Sequence, residues 1–196
     1  LPGRGYVTVA QTPSLEVMPL EDFSEFAEDQ PLPGSAYGVG PDGDPKVEST
    51  ISATVVAPPP GLEGASRALR VHYKFAPGWK FLRVSPQGDR QAPLSGKPYA
   101  LAMWVHGTGS GDLLRARFTD STGQTFQPDG GAQTWQGWKY ISFPLTGENA
   151  GRWGGADDGV VHLPIRLDTL FLVDSPGGRG GEAAVHIAGV TLLRRP

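Results

Sequence analysis

Apolar residues in this chain recur at every second position in short runs, and no long stretch repeats every third or fourth. Side chains two apart share one face of a β-strand, so each run reads as a strand with an apolar and a polar side. In 67–75, Leu69, Val71, Tyr73 and Phe75 alternate with Arg70, His72 and Lys74. In 113–119, Leu114, Ala116 and Phe118 alternate with Arg115, Arg117 and Thr119. In 99–106, Leu101, Met103 and Val105 oppose Ala102, Trp104 and His106, whereas in 138–145 Lys139, Ile141 and Phe143 oppose Trp138, Tyr140 and Ser142 without a clear inward set. Further strands are predicted at 6–10, 17–23, 47–57, 81–85, 124–127, 165–173 and 183–193. About ten strands with no helices between them predict an all-β fold, an antiparallel β-sandwich. The stretch 22–29 is the only one with a tendency to turn. Asp120-Ser121-Thr122-Gly123 predicts a hairpin over 113–127, with Gly123 supplying positive φ. The glycine-rich 177–181 reads as a second hairpin connection. Residues 1–16 read as a lead-in from a preceding domain and 17–196 as one sandwich domain; 31–46 and 146–164 read as long loops.

Composition narrows the function. The 28 glycines and 19 prolines of the 196 residues fall between the apolar runs as turn punctuation. A net charge of −3 gives no reason to expect nucleic acid or an anionic membrane as partner. The absence of cysteine excludes disulfides and thiolate metal sites, and no run approaches the roughly 20 apolar residues of a membrane helix.

If every apolar set faces the core, the opposite sets form one polar sheet face that includes Arg70 and Lys74. Its expected ligand-binding residues are Trp104, His106, His72, Arg115, Arg117 and Tyr140. Exposed aromatics stack on the apolar face of a pyranose while Arg and His bond its hydroxyls. The arginines point to an acidic glycan, because guanidinium pairs with carboxylate. Catalytic signatures are missing. The 20 acidic residues fall mostly in turns, the four histidines have no metal-ligand spacing, and there is no nucleophile elbow or phosphate loop.

Four stretches carry a resemblance to a known family: Leu20-Glu21-Asp22-Phe23-Ser24-Glu25; Tyr99 to Gly107 followed by Gly109-Ser110-Gly111; Leu114 to Gly123 with Trp135 to Leu145; and Ile165 to Asp174 with Val185 to Leu192. In this order the chain resembles the galactose-binding-like jelly-roll carbohydrate-binding modules, notably those of family 11. The resemblance implies a non-catalytic accessory module of an extracellular or cell-surface bacterial protein. Such a module holds an adjacent catalytic domain of the same polypeptide on a polysaccharide. The alternative is a structural interdomain module with no sugar binding of its own. The resemblance also implies a structural Ca²⁺, held by acidic residues of the first strand and an acidic pair in the last. Asp22 and Glu25 stand in the first position, but the last reads Ala188-Gly189, so only part of a site is present and no cofactor is expected.

Overall fold

A computed structural model describes residues 14–196. The strands are β1 (Glu16–Glu21), β2 (Gln30–Pro31), β3 (Tyr37–Gly43), β4 (Ser49–Val56), β5 (Ala68–Phe75), β6 (Lys80–Pro86), β7 (Lys97–Thr108), β8 (Leu113–Thr119), β9 (Thr125–Gln127), β10 (Asp129–Ala132), β11 (Gln136–Pro144), β12 (Gly151–Trp153), β13 (Arg166–Asp174) and β14 (Gly181–Arg195). They form two seven-stranded sheets. The first runs β11-β7-β14-β5-β4-β2 with β1 also on β14; the second runs β12-β9-β8-β13-β6-β3 with β10 also on β8. Every pairing is antiparallel. This is the predicted all-β jelly-roll sandwich. No helix of the described residues is long and apolar enough to cross a membrane.

The alternating sets pack as expected. Leu69, Val71, Tyr73 and Phe75 of β5 and Leu101, Met103 and Val105 of β7 meet Leu114, Ala116 and Phe118 of β8 in one buried cluster. The ambiguous strand β11 resolves with Ile141 and Phe143 inward. Phe118 stacks on Phe126 of β9, ring centroids 5.0 Å apart. Full burial of side chains of this size contributes roughly 1.5–3 kcal/mol each, which is why the inward set decides each strand's orientation.

Four expectations need correction. The stretch 31–46 is not simply a loop: it contains the whole of β3, whose Gly38, Gly40 and Pro41 hide any alternation. Pro41 is tolerated because, among the described residues, β3 is an edge strand paired only with β6. The stretch 146–164 likewise contains β12, and β10 follows β9 where no strand was expected. The glycine-rich 177–181 is not a hairpin, because β13 and β14 belong to different sheets. The predicted lead-in 1–16 and strand 6–10 lie outside the described residues up to position 13, and β1 begins at Glu16.

The predicted hairpin 113–127 forms, with Phe118 opposite Phe126 and Thr119 opposite Thr125. Gly123 has φ +86°. Asp120, 5% exposed, organises the turn. Its Oδ1 accepts the backbone N–H of Thr122 (2.8 Å) and Gln124 (3.0 Å) and the Thr122 hydroxyl (2.7 Å), and its Oδ2 accepts the N–H of His162 (3.1 Å). These bonds hold the carboxylate charged against its burial, so its pKa lies below the usual range. One side chain thus ties the hairpin to the 146–164 segment. We expect Asp120→Ala to cost about 2–3 kcal/mol, since it strips the acceptor from several N–H groups at once; a denaturant titration with an unchanged midpoint would contradict this.

Candidate functional site

A sandwich has two outer faces, and the six residues expected on one face divide between them. Trp104, His106, His72 and Tyr140 lie on the first sheet; Arg115 and Arg117 lie on β8, in the second. The physical reason is that β8 turns its apolar side to the same core from the opposite direction, so its polar side faces away from that of β5 and β7.

The outer face of the first sheet is built in rows. Trp138, His106, His186 and Arg70 stand opposite one another across β11, β7, β14 and β5. His106 packs edge-on against Trp138 and against His186, with centroids 5.2 and 5.6 Å apart. The Trp138 Nε1–H donates to the Pro59 carbonyl at 3.0 Å, which draws the proline-rich connection against this end of the row. In the next row Tyr140 stands opposite Trp104, rings 5.3 Å apart, with the two residues 42% and 36% exposed. They line a groove of about 400 Å³ together with Asp22, Glu63, Arg67 and Thr191. His72 lies apart from this groove and pairs with Glu182, Nε2 to Oε1 3.0 Å.

The outer face of the second sheet carries the denser polar array. Arg83 of β6 reaches Asp42 of β3 (3.0 Å) and Asp168 of β13 (3.4 Å). Arg117 donates from Nε to the Gln127 side-chain oxygen at 2.7 Å. Its guanidinium sits between two rings, 5.3 Å from the Phe81 centroid and 5.2 Å from that of Trp153. Burial, and after it the neighbouring Arg83, lowers the Arg117 pKa from the ordinary arginine value. Arg115 bonds Asp174 at 2.7 Å and lies 3.8 Å from Asp129. Leu172 stands opposite both Arg83 and Arg115 on this face and is 1% exposed, as expected beneath two arginine stems. Trp153 (45% exposed) and Trp79 (65% exposed), the latter tilted against Phe81 at 5.9 Å, are open to solvent.

Backbone irregularity shapes this face. The pairing of β13 with β8 slips between Leu167 and Thr169 and again between Thr169 and Leu172. Such bulges re-aim side chains, and Asp168 lies within the first. On β3, a Cβ added to Gly40 would meet nothing within 4 Å, so the strand leaves open space beside Arg83. Two cavities, about 420 and 380 Å³, share Gln91 and Asp168 and form one trough across the strands.

Sequence reasoning missed Arg83, Asp42, Asp168, Gln127, Trp79, Phe81 and Trp153 as site residues. Alternation in 81–85 does set Arg83 on the same side as Phe81 and Ser85. Asp42 and Trp153 fell in the stretches read as loops, and the bulge in β13 breaks the period that would have placed Asp168.

Asp22 and Glu25, the partial metal set that the sequence offers, have partners within the protein. The Asp22 Oδ1 accepts the Ser24 N–H (2.9 Å) and hydroxyl (2.6 Å), and Glu25 pairs with Arg90. Among the described residues no three His, Asp or Glu side chains gather around one ion position.

No protein-family model matches the sequence, and no curated protein matches it. Solved structures do share the fold. The family 11 carbohydrate-binding module of the cellulosomal cellulase Lic26A-Cel5E of Clostridium thermocellum superposes with a TM-score of 0.60 at 12% identity, over 92% of this chain and 96% of that one. The family 11 module from C. thermocellum in complex with a beta-1,3-1,4-mixed-linked tetrasaccharide gives 0.61 at 12%, over 93% and 98%. The solution structure of CtCBM11 gives 0.60 at 12%, over 96% and 99%. At this identity the likeness is one of fold, the jelly roll that the sequence resemblance implied.

The imidazole row makes a pH prediction. Burial first, then His106 and Arg70, lower the His186 pKa to about 4. Between that value and the ~6.5 of an unfolded histidine, the unfolded chain takes up a proton that the folded chain refuses. Stability from this group is therefore full above pH 6.5 and declines as pH falls toward 4. Melting wild type and His186→Gln at pH 7.5 and 4.5 should give a smaller acid loss for the variant; equal losses would refute the assignment.

Proposed function

We propose that this chain is a non-catalytic carbohydrate-binding module that takes a polysaccharide across the outer face of its second sheet. The observation that carries this reading is Arg117, held between Phe81 and Trp153 and bonded to Gln127 beside the Arg83–Asp42–Asp168 cluster. Trp153 and Trp79 offer flat apolar surfaces to sugar rings, and the fixed guanidinium, carboxylate and amide groups bond hydroxyls in directed pairs. Ion pairs this exposed add at most about 1 kcal/mol each to stability, so their main contribution is a set of oriented polar groups at the surface. Arg83, Arg115 and Arg117 already have acidic or amide partners, whereas Arg166, which lines one end of the trough, has no ion-pair partner among the described residues and is the arginine placed to meet an acidic sugar. Asp42 and Asp168 converge on one guanidinium, leaving neither as a free acid for glycoside hydrolysis. The fold shared with the family 11 modules, one of them solved with a mixed-linked tetrasaccharide, supports the sugar-binding part of this reading and is neutral on the face used. An extracellular setting beside a catalytic domain of the same polypeptide completes it.

A second reading places the sugar in the first-sheet groove, favoured by the exposed Trp104–Tyr140 pair. Affinity electrophoresis against neutral and acidic polysaccharides separates the two. Under the first reading Trp153→Ala weakens binding about tenfold, as loss of ~1.4 kcal/mol of stacking requires, and Trp104→Ala leaves it unchanged. The reverse pattern would move the site to the first sheet. Retention by no polysaccharide would favour a structural interdomain module.

A further inference from the structure

The jelly-roll resemblance implies a structural Ca²⁺ at the connection after β1, and the side chains there do not fit one. Ca²⁺ takes six to eight oxygen ligands. Glu21, 8% exposed, has both carboxylate oxygens engaged. Its Oε1 accepts the Phe23 N–H at 2.7 Å; its Oε2 accepts the Tyr37 hydroxyl at 2.7 Å and Arg90 Nε at 3.2 Å. Asp22 Oδ1 is occupied by Ser24, and the last strand brings Gly189, Val190 and Thr191 to this region without a carboxylate.

A cation is nevertheless present. The Arg90 guanidinium bridges Glu21 and Glu25, and lies 5.3 Å from the ring centroids of both Phe26 and Tyr37. Arg90 follows β6 in a short 3₁₀ turn, Gly88–Gln91, so the bridge joins segments 65 and 69 residues apart. The connection it anchors is strained. Phe23 is fully buried with φ +60°, a left-handed conformation that costs a non-glycine residue about 1–2 kcal/mol. Glu21 holds that conformation by accepting the Phe23 N–H, and Arg90 in turn neutralises Glu21.

We propose that Arg90 is the resident cation of this connection, doing the work of a structural metal, and that the folded chain is independent of calcium. A planar guanidinium suits the task because it can bond two carboxylates and stack on rings at once, which a point charge cannot.

Thermal melts of the whole chain test this. Wild type should melt at the same temperature in millimolar CaCl₂ and in EDTA. Arg90→Ala should melt about 10 °C lower, since it leaves a buried carboxylate uncompensated. Arg90→Ala/Glu21→Gln should recover part of that loss, because the orphaned charge is removed. If Arg90→Ala does not fold, Arg90→Lys, which keeps the charge but loses the fork, should melt between wild type and the expected alanine value, again without a calcium response. A wild-type melting temperature that rises with calcium and falls with EDTA would overturn the proposal, as would an Arg90→Ala variant as stable as wild type.

Discussion

Every strand of this protein has an apolar side that has to leave water, and two sheets remove those sides together by packing them face to face. The buried cluster joining Leu69 to Phe75, Leu101 to Val105 and Leu114 to Phe118 is the result. The rest of the architecture follows from it. Polar side chains are driven to two outer faces pointing in opposite directions, and a residue's face is fixed once its neighbour's is known. A binding surface on either outer face is therefore assembled from the strands of one sheet.

The two faces are chemically different. On the first sheet, Trp138, His106 and His186 pack against one another in a row, closed at one end by Pro59, which restrains the imidazoles and opposes protonation of His186. The Trp104–Tyr140 pair beside it stays open to solvent. The second sheet instead spreads arginines, carboxylates and an amide over its outer face, which also carries the exposed Trp79 and Trp153. Its polar groups hold each other in place, so a ligand would meet oriented partners and little side-chain entropy would be lost on binding.

The ends of the sandwich are secured by carboxylates. Asp120 gathers the N–H groups of its hairpin and of the following segment. Glu21 does the same for the β1–β2 connection, with the Arg90 guanidinium as countercharge. In both places a buried acid is tolerable because donors surround it, and in both it holds the backbone of a connection whose side chains reach into the apolar core.

The sequence by itself determined the fold class, most strands, the inward residues of β5, β7 and β8 and the hairpin at Asp120–Gly123, because a period of two and a turn signal are local properties. Glycine and proline in β3 erased that period, and the bulges of β13 shifted it, so Asp42 and Asp168 could not be placed beside Arg83 from the chain alone. Which sheet each strand joins depends on pairings between residues far apart in sequence, such as Trp104 with Ala188. Tertiary structure alone therefore separated Arg115 and Arg117 from Trp104, His106, His72 and Tyr140. It also gave Glu21 a guanidinium from 69 residues away, because a local pattern carries no information about which distant charge will arrive beside it.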